Sequence, residues 1–186
     1  MKGSPVATLN TADAATLLVT NASYCGVAWL TPAWREYSFS VAVKSCVGNF
    51  VVGHALGHNF GSNHDIYSAP NRNNFYSYGY GHHIEKGSLT TGARTILAYS
   101  RAGYETRVNY YSNPSVIYPL TGTTTGVAGV SNTAAVIREN RFNMAAHGDE
   151  SGACGKTEQG TQSSIYIIGY VSCPPPPLPV FLCKKS

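Results

Sequence analysis

The sequence predicts an α+β domain, because segments typical of strands come first and segments typical of helices follow. Three apolar or alternating segments precede residue 54, and two helical segments lie at residues 50–61 and 132–147. A chain of 186 residues can bury one hydrophobic core, so we expect one main domain.

The strand predictions come from the pattern of apolar residues. Residues 15–20 form an apolar run that predicts a buried strand, and residues 25–30 form a second run that ends before Pro32. Residues 37–43 alternate, with aromatic and branched side chains on one face, which predicts a half-buried strand.

The helix predictions come from capping and stop signals. Asn49 can cap a helix that begins at Phe50, and Gly61 can end it. Residues 62–81 are rich in Asn, Ser, Tyr and Gly and predict an ordered loop. A second helix is predicted over residues 132–147. Its apolar face is formed by Ala135, Val136 and Phe142.

The composition changes after residue 150, which predicts a domain over residues 1–150 and a proline-rich tail or linker over residues 151–186. Residues 174–177 are consecutive prolines, which adopt polyproline II and cannot join a sheet interior. Residues 165–171 could still add a strand at the edge of a sheet.

Composition and charge exclude several function classes. The net charge is only +4 and the 13 Lys and Arg residues are scattered, so nucleic-acid binding is not expected. No run approaches 18 apolar residues, so no membrane span is expected. Residues 1–5 lack the apolar run of a signal peptide. A secreted protein with this sequence would therefore be a processed or truncated form.

The five cysteines contain no C-x-x-C pair, which excludes a zinc ribbon and a thioredoxin-type motif. Cys25 and Cys46 flank strand-like segments and could form a disulfide. The alternative is that both are buried free thiols. The sequence predicts no pairing for Cys154, Cys173 and Cys183.

Three histidines form the most informative pattern in the chain. His54 and His58 are four residues apart, so they lie on one face of a helix and both imidazoles can reach one metal ion. Gly61 can adopt a left-handed conformation and turn the chain, which brings His64 back toward the same point. Three imidazoles with an open fourth position are typical of catalytic zinc. The alternative, a metal-free turn with this spacing, is much less favoured.

This segment resembles the metzincin zinc-peptidase motif H-E-x-x-H-x-x-G-x-x-H, and the following Asp65 is similar to the reprolysin-like branch. Residues 24–29, 76–81 and 107–114 resemble further stretches of bacterial and adamalysin-type members, so the resemblance covers roughly residues 12–147. It implies Zn²⁺ bound by the three matching histidines, which are His54, His58 and His64. It also implies a zincin-like twisted mixed sheet, an active-site helix and a small C-terminal subdomain.

The resemblance implies a secreted, monomeric metalloendopeptidase that acts on protein or peptide substrates. An extended substrate is expected to pair with an edge strand within residues 25–43. Only 53 residues precede His54, which is short for the upstream helix and strands of the family. We therefore expect that an N-terminal part is missing or reduced.

The main departure from the metzincin motif is Ala55, which replaces the glutamate that follows the first histidine. That glutamate accepts a proton from the zinc-bound water and passes it to the leaving amine, and alanine can do neither. We expect metal binding to survive and catalysis to be disabled unless position 55 is restored to glutamate. Glu85 and Glu105 lie in loops on the C-terminal side of the motif, and nothing in their spacing recommends either as a replacement base.

Three further residues have roles implied by the resemblance. Leu97 stands at the methionine of the Met-turn, as a hydrophobic platform beneath the histidines. Tyr99 matches a tyrosine that reaches the metal or the oxyanion in astacin-type relatives, and the alternative is an aromatic that packs against the cleft floor. Asp65 is expected to accept hydrogen bonds that fix the turn or orient a ligand. The other histidines, at positions 82, 83 and 147, are assigned to surface or loop.

Two hypotheses explain an intact ligand set beside a missing base. The chain is either a peptidase scaffold disabled at Ala55, by engineering or naturally, or a natural pseudoprotease that binds peptides or proteins in the old cleft. A structural zinc domain ranks last, because the fourth coordination position is not filled.

Overall fold

The computed structural model describes residues 12–69 and 75–147, together with the backbone of residues 165–166 and 180–183. Within these residues the chain is a mixed α+β domain, as predicted, with two α-helices and one five-stranded sheet beside three two-stranded sheets. The helices are α1 (Val51–Asn59) and α2 (Thr133–Ala145). The strands are β1 (Ala14–Val19), β2 (Gly26–Trp29), β3 (Phe39–Val43), β4 (Asn63–Asp65), β5 (Tyr80–Gly81), β6 (His83–Ile84), β7 (Ala93–Arg94), β8 (Ile117–Tyr118), β9 (Thr123–Thr124), β10 (Ile165–Tyr166) and β11 (Val180–Cys183).

The three strands predicted before residue 54 are confirmed as β1, β2 and β3, and they form the centre of the main sheet. β1 runs parallel to β3, with Leu17 opposite Val41, whereas β2 runs antiparallel to β3, with Val27 opposite the same residue. The sheet is therefore mixed, and α1 packs against β2 and β3.

Two short strands from the C-terminal segment complete the sheet in the order β10-β1-β3-β2-β11. β10 is parallel to β1, with Ile165 opposite Ala14, and β11 is antiparallel to β2, with Val180 opposite Trp29. β2 consequently has a neighbour on each side. The rest of the predicted tail lies outside the described residues, and the division of the chain at residue 150 stays a prediction.

The start of α1 differs from the prediction. Lys44–Asn49 form a 3-10 helix, and the residue before α1 is Phe50, which has a left-handed φ of 56°. The predicted cap at Asn49 is wrong, because Asn49 is still in the 3-10 helix and Phe50 is the residue that directly precedes α1. No side chain caps α1.

The side chain of Asn59 holds the other end of α1 on the sheet. Its Nδ2 donates to the carbonyl oxygens of Trp29 and Tyr37, at 3.1 and 3.0 Å. A third, longer bond of 3.4 Å reaches the carbonyl of Phe39. The last residue of α1 is thereby tied to the end of β2 and the approach to β3.

A disulfide joins Cys25, directly before β2, to Cys46 in the 3-10 helix that precedes α1. Cys25 is buried and packs in a cluster with Ala42 and Val51. The bridge that the sequence left open is therefore present, and it connects the sheet to the start of α1.

The predicted C-terminal helix is confirmed as α2, and Asn132 caps it by accepting a 3.1 Å hydrogen bond from the backbone N–H of Ala135. Phe142, however, is 48% exposed and does not lie on the buried face. Asn140 and Met144 are buried, and Phe142 lies about 200° around the helix from each of them. Neither described helix has the length and hydropathy of a bilayer-crossing segment.

Two of the histidines assigned to surface or loop are buried. His147 connects the end of α2 to the start of the sheet, since its Nδ1 and Nε2 lie 3.0 and 2.9 Å from the carbonyl oxygens of Asp13 and Ala33. His83 lies in β6, where its Nε2 contacts the carbonyl of Tyr99 at 2.9 Å. Both rings bond to backbone groups that are distant in the chain, which residue spacing does not reveal.

Replacing both Cys25 and Cys46 by alanine should lower the free energy of unfolding by about 3 kcal/mol, because the unfolded chain loses the constraint of the closed loop. The measurement is urea unfolding of the parent and the double variant. Adding a reductant should lower the stability of the parent toward that of the variant and leave the variant unchanged. Equal stability of the two oxidised proteins would contradict a structural role for this disulfide.

Candidate metal centre

Three buried imidazoles meet at one point beside α1. His54 and His58 lie one turn apart on the helix, and His64 lies in β4. The Nε2 atom of His58 is 3.1 Å from that of His54 and 3.0 Å from that of His64, and the remaining pair is 3.1 Å apart. The structure thus brings together all three histidines that the sequence singled out.

A sharp turn after α1 directs His64 toward the helix. Gly61 has a left-handed φ of +96° and follows the last helical residues, and its N–H donates to the carbonyl of His58 at 2.8 Å. A Cβ atom at this position would lie 3.0 Å from the ring of Tyr76 and 3.3 Å from the Cα of Pro32. Both the backbone conformation and the lack of space therefore require glycine here.

Backbone carbonyls hold the ring orientations of the two helical histidines. The Nδ1 of His54 is 2.8 Å from the carbonyl oxygen of Ile96, and the Nδ1 of His58 is 2.7 Å from that of Ser62. A carbonyl can only accept, so each Nδ1 carries the proton and donates it. The Nε2 lone pairs then point toward the centre of the cluster, as in zinc sites in which the second ring nitrogen is held by a carbonyl.

Burial keeps these rings neutral at physiological pH. It lowers the pKa of His58 to about 4 and that of His54 well below its usual value. The pKa of His54 is lowered further because a proton on it would be repelled by a proton on the adjacent His58 and by the charge of Arg107. Neutral imidazole is the form that binds a metal ion. Low pKa values therefore favour metal binding over protonation at this cluster.

The donor set fits a zinc ion. Three nitrogens about 3 Å apart can each lie about 2.0 Å from a common point, which is the length of a zinc–imidazole bond. With protons on the Nδ1 atoms, the facing Nε2 atoms of His54 and His58 are both acceptors, and a cation satisfies them together. In the part of the chain that the structure describes, His54, His58 and His64 are the one group of three or more His, Cys, Asp or Glu side chains with metal-binding spacing.

Residues 95–99 lie against α1 below the histidines. Leu97 is fully buried, and its Cδ2 would be 2.7 Å from a Cβ atom placed on Gly57. The preceding residue, Ile96, supplies the carbonyl that holds His54. Leu97 thus contacts the helix through its side chain while the adjacent backbone orients a ring.

Asp65 connects the turn after His64 to the same segment. One carboxylate oxygen accepts from the backbone N–H groups of Tyr67 and Ser68, both at 3.1 Å. The other accepts from the hydroxyl of Ser68 at 2.8 Å and from the backbone N–H of Tyr99 at 3.0 Å. This buried carboxylate therefore joins β4 to residue 99.

Tyr99 lies beside two of the histidine rings. Its ring centroid is 4.1 Å from that of His64, and it is stacked on the ring of His54 at 5.9 Å with an interplanar angle of 6°. These contacts place Tyr99 next to the candidate metal site. A contact with a metal or an oxyanion stays a prediction.

Position 55 is occupied by a fully buried alanine directly after His54. The two acids that follow the motif form hydrogen bonds elsewhere: Glu85 accepts from the hydroxyl of Tyr104, and Glu105 accepts from the backbone N–H of Gly103. Both carboxylates are exposed and engaged in local hydrogen bonds, so neither supplies the base that Ala55 lacks.

Sequence reasoning missed two polar residues that support the site, one at a variable position within the motif and one outside it. Asn59 anchors α1, and Arg94 is almost completely buried and donates to the carbonyl oxygens of Ala98 and Glu105. Arg94 lies in β7, and His83 in β6 pairs with it. Asn59 stands at a position where the motif accepts any residue, and no motif surrounds Arg94, so neither carries a sequence signal of its role.

Comparison with known proteins agrees with this geometry. Residues 5–65 match the metallo-peptidase family M12B reprolysin-like model, and this range contains all three histidines. Over 136 residues, or 73% of the chain, the sequence is 33% identical to a peptidyl-Asp metalloendopeptidase of Stenotrophomonas maltophilia. The chain contains a metzincin-type metallopeptidase domain. This family implies a zinc ion, and the three-histidine cluster is where the domain would hold it.

Other relatives of this metallopeptidase domain carry the same name. A peptidyl-Asp metalloendopeptidase of Xanthomonas campestris pv. campestris is 31% identical over 73% of the chain, and one of Pseudomonas fragi is 34% identical over 42%. The chain spans 32%, 31% and 51% of the Stenotrophomonas, Xanthomonas and Pseudomonas proteins. It therefore corresponds to about a third of the two longer relatives.

A solved structure described as a chaperone–substrate complex contains a chain with a similar fold. The TM-score is 0.54 at 21% sequence identity, and the match covers 74% of the present chain and 21% of the other chain. At this identity the likeness concerns the fold alone.

Replacing His58 by glutamine should remove close to one equivalent of zinc from the purified protein, because two nitrogens hold the ion much more weakly than three. The measurement is metal content by mass spectrometry after dialysis against trace zinc. His82→Gln is the matched control, since this half-buried histidine lies outside the cluster and should leave the zinc content unchanged. Equal zinc content in the two variants would show that the metal site is elsewhere.

Proposed function

We propose that this chain is the zinc-dependent metalloendopeptidase domain of a secreted protein, and that alanine at position 55 disables its peptide-bond hydrolysis. The observation that carries the proposal is the convergence of three buried imidazole nitrogens at 3.0–3.1 Å in a metzincin-type domain. The disulfide supports secretion, because such bonds persist in oxidising compartments.

His54, His58 and His64 would hold the zinc ion. The carbonyl of Ile96 would keep the ring of His54 oriented, and the carboxylate of Asp65 would hold the backbone at Tyr99. When bound, zinc supplies Lewis-acid polarisation of a scissile carbonyl and acidification of a water molecule. Tyr99, beside two of these rings, is the candidate to donate a hydrogen bond to the developing oxyanion.

We expect hydrolysis to fail because position 55 is alanine and supplies no general base. Hydrolysis requires a group that accepts a proton from the attacking water and returns one to the leaving amine, and a methyl group does neither. The position is fully buried, so a carboxyl group there would be desolvated. Burial raises the pKa of a carboxyl group toward the range that suits a general base.

The substrate class follows from the relatives, which are named peptidyl-Asp metalloendopeptidases. We propose that this monomeric domain acts on protein or peptide chains at bonds next to aspartate. An extended substrate would lie antiparallel to β2, in the place that β11 takes in the structure. The alternative function is a natural pseudoprotease that binds zinc and peptides without cleaving them, which the intact ligand set beside Ala55 also fits.

Ala55→Glu should restore cleavage of aspartate-containing peptides by at least about 10²-fold over the parent, because it supplies both proton-transfer steps. The measurement is peptide cleavage by mass spectrometry at one equivalent of bound zinc. Ala55→Gln is the matched control, since it has the same shape without a base and should stay inactive. Full zinc occupancy without cleavage by Ala55→Glu would favour the pseudoprotease.

Deleting residues 172–186, which include β11, should strengthen binding of an extended peptide to the zinc-loaded chain, because the outer backbone groups of β2 then become available for pairing. The measurement is fluorescence anisotropy with a labelled peptide, after circular dichroism has shown an intact fold. Deleting only residues 184–186 is the control, because this retains β11. Unchanged affinity after the larger deletion would show that peptides do not pair with β2.

A further inference from the structure

A row of aromatic rings lies at the end of β2. Trp29, the last residue of this strand, has its ring centroid 5.3 Å from that of Tyr37. The ring of Tyr37 is 6.1 Å from that of Trp34, which is in turn 5.6 Å from that of Phe75. Phe39, in β3, joins the row through Trp29 at 6.3 Å. These five residues are called the aromatic surface below.

Three rings of the aromatic surface are open to solvent. Trp34, Phe39 and Phe75 are 42%, 43% and 45% exposed. Trp29 is buried and connects these rings to the sheet. The indole N–H of Trp34 forms no hydrogen bond within the described residues. Exposed apolar rings that adjoin one another are typical of a binding surface, whereas single exposed apolar residues are ordinary.

The sequence brings a proline run to this surface. Residues 174–179 are five prolines and Leu178, and they lead directly into β11. Val180, the first residue of β11, is the partner of Trp29 in the sheet. Because β11 is antiparallel to β2, the chain that precedes Val180 joins the sheet from the end of β2 at which Trp29 lies. The run is therefore tethered next to the aromatic surface.

The length and chemistry of the run fit the aromatic surface. A polyproline II segment rises about 3.1 Å per residue, so six residues span about 19 Å. The row from Trp29 to Phe75 has successive ring distances of 5.3, 6.1 and 5.6 Å, which a segment of this length can cover. Proline-rich segments bind aromatic-lined grooves because they are already extended and lose little entropy. Their carbonyl groups have no internal partner and can accept from an indole N–H.

Connectivity favours the run of this chain over a proline-rich segment of another molecule. A segment tethered next to its binding surface has an effective concentration on the order of 1 mM. A partner protein, or the run of a second copy, competes poorly at lower concentrations. Residues 174–179 also carry no charge, which suits a surface formed by aromatic rings.

We infer that the aromatic surface binds residues 174–179 of the same chain as a polyproline II segment. In this arrangement the rings of Trp34 and Phe75 contact proline rings, and the indole N–H of Trp34 donates to a carbonyl of the run. The contact favours pairing of β11 with β2, because the run and β11 are continuous in sequence. The inference does not depend on the proposed peptidase activity, since none of the five aromatic residues belongs to the histidine cluster.

The first test uses the tryptophans as probes, since the chain contains only two and both belong to the aromatic surface. One variant, the serine variant, retains β11 and combines Pro174→Ser, Pro175→Ser, Pro176→Ser and Pro177→Ser. Its tryptophan emission should shift to longer wavelength, and acrylamide should quench it more strongly than in the parent, because Trp34 loses its cover. Circular dichroism and zinc content are measured first and should equal those of the parent.

The second test supplies the run as a fluorescein-labelled peptide of residues 174–180 and measures anisotropy. The serine variant should bind this peptide about 10-fold more tightly than the parent, in which the tethered run competes for the surface. Adding Phe75→Ala to the serine variant should weaken binding. Adding Phe142→Ala is the matched control, since this phenylalanine is 48% exposed and belongs to α2, and it should leave binding unchanged. Phe75→Leu replaces Phe75→Ala if the latter loses the circular dichroism spectrum of the parent.

Each outcome decides the inference. Equal emission and quenching in the parent and the serine variant, or equal affinity of the two for the peptide, would show that the run does not occupy the surface. Equal weakening by Phe75→Ala and Phe142→Ala would also overturn it. A dimeric parent whose emission shifts on dilution would assign the run to a second copy and overturn the same-chain contact. Stronger quenching of the serine variant, with peptide binding weakened by Phe75→Ala alone, supports the inference. Neither test requires cleavage, so failure of the proposed peptidase activity is scored separately.

Discussion

The convergence of three imidazoles from two elements is the constraint on which the rest of this structure depends. Nitrogens only 3.0–3.1 Å apart require that α1 end abruptly and that the chain return at once to the same helix face. Gly61 permits the return through its left-handed conformation. The hydrogen bonds from His54 and His58 to backbone carbonyls then leave the other ring nitrogens pointed at one centre.

Such a cluster is costly to bury, and the surrounding polar residues offset the cost. Burial lowers the pKa values of His54 and His58, so that no net charge accumulates on these rings. Asp65 is itself buried, but its carboxylate accepts bonds from three backbone N–H groups and one hydroxyl. Buried polar groups satisfied in this way make a rigid site, which is what a metal ion with fixed bond lengths requires.

Local patterns predicted the elements well where periodicity and turn chemistry act within a few residues. β1, β2, β3 and α2 appear close to their predicted positions. The errors arise where tertiary contacts determine where a helix begins or which of its faces is buried. The chain continues as a 3-10 helix through Asn49, so this residue does not cap α1. Phe142 lies on the exposed side of α2 because Asn140 and Met144 define the buried face.

The sequence by itself determined the three histidines, the turn glycine and the alanine at position 55, because these depend on spacing along one segment and on residue chemistry. Only the tertiary structure decided what surrounds them. The carbonyl of Ile96 holds the ring of His54, the carboxylate of Asp65 accepts from the N–H of Tyr99, and the guanidinium of Arg107 donates to the carbonyl of Asn49. Residues far apart in the chain form each of these contacts. Their meeting depends on how the sheet, α1 and the following loops pack, which no local pattern records.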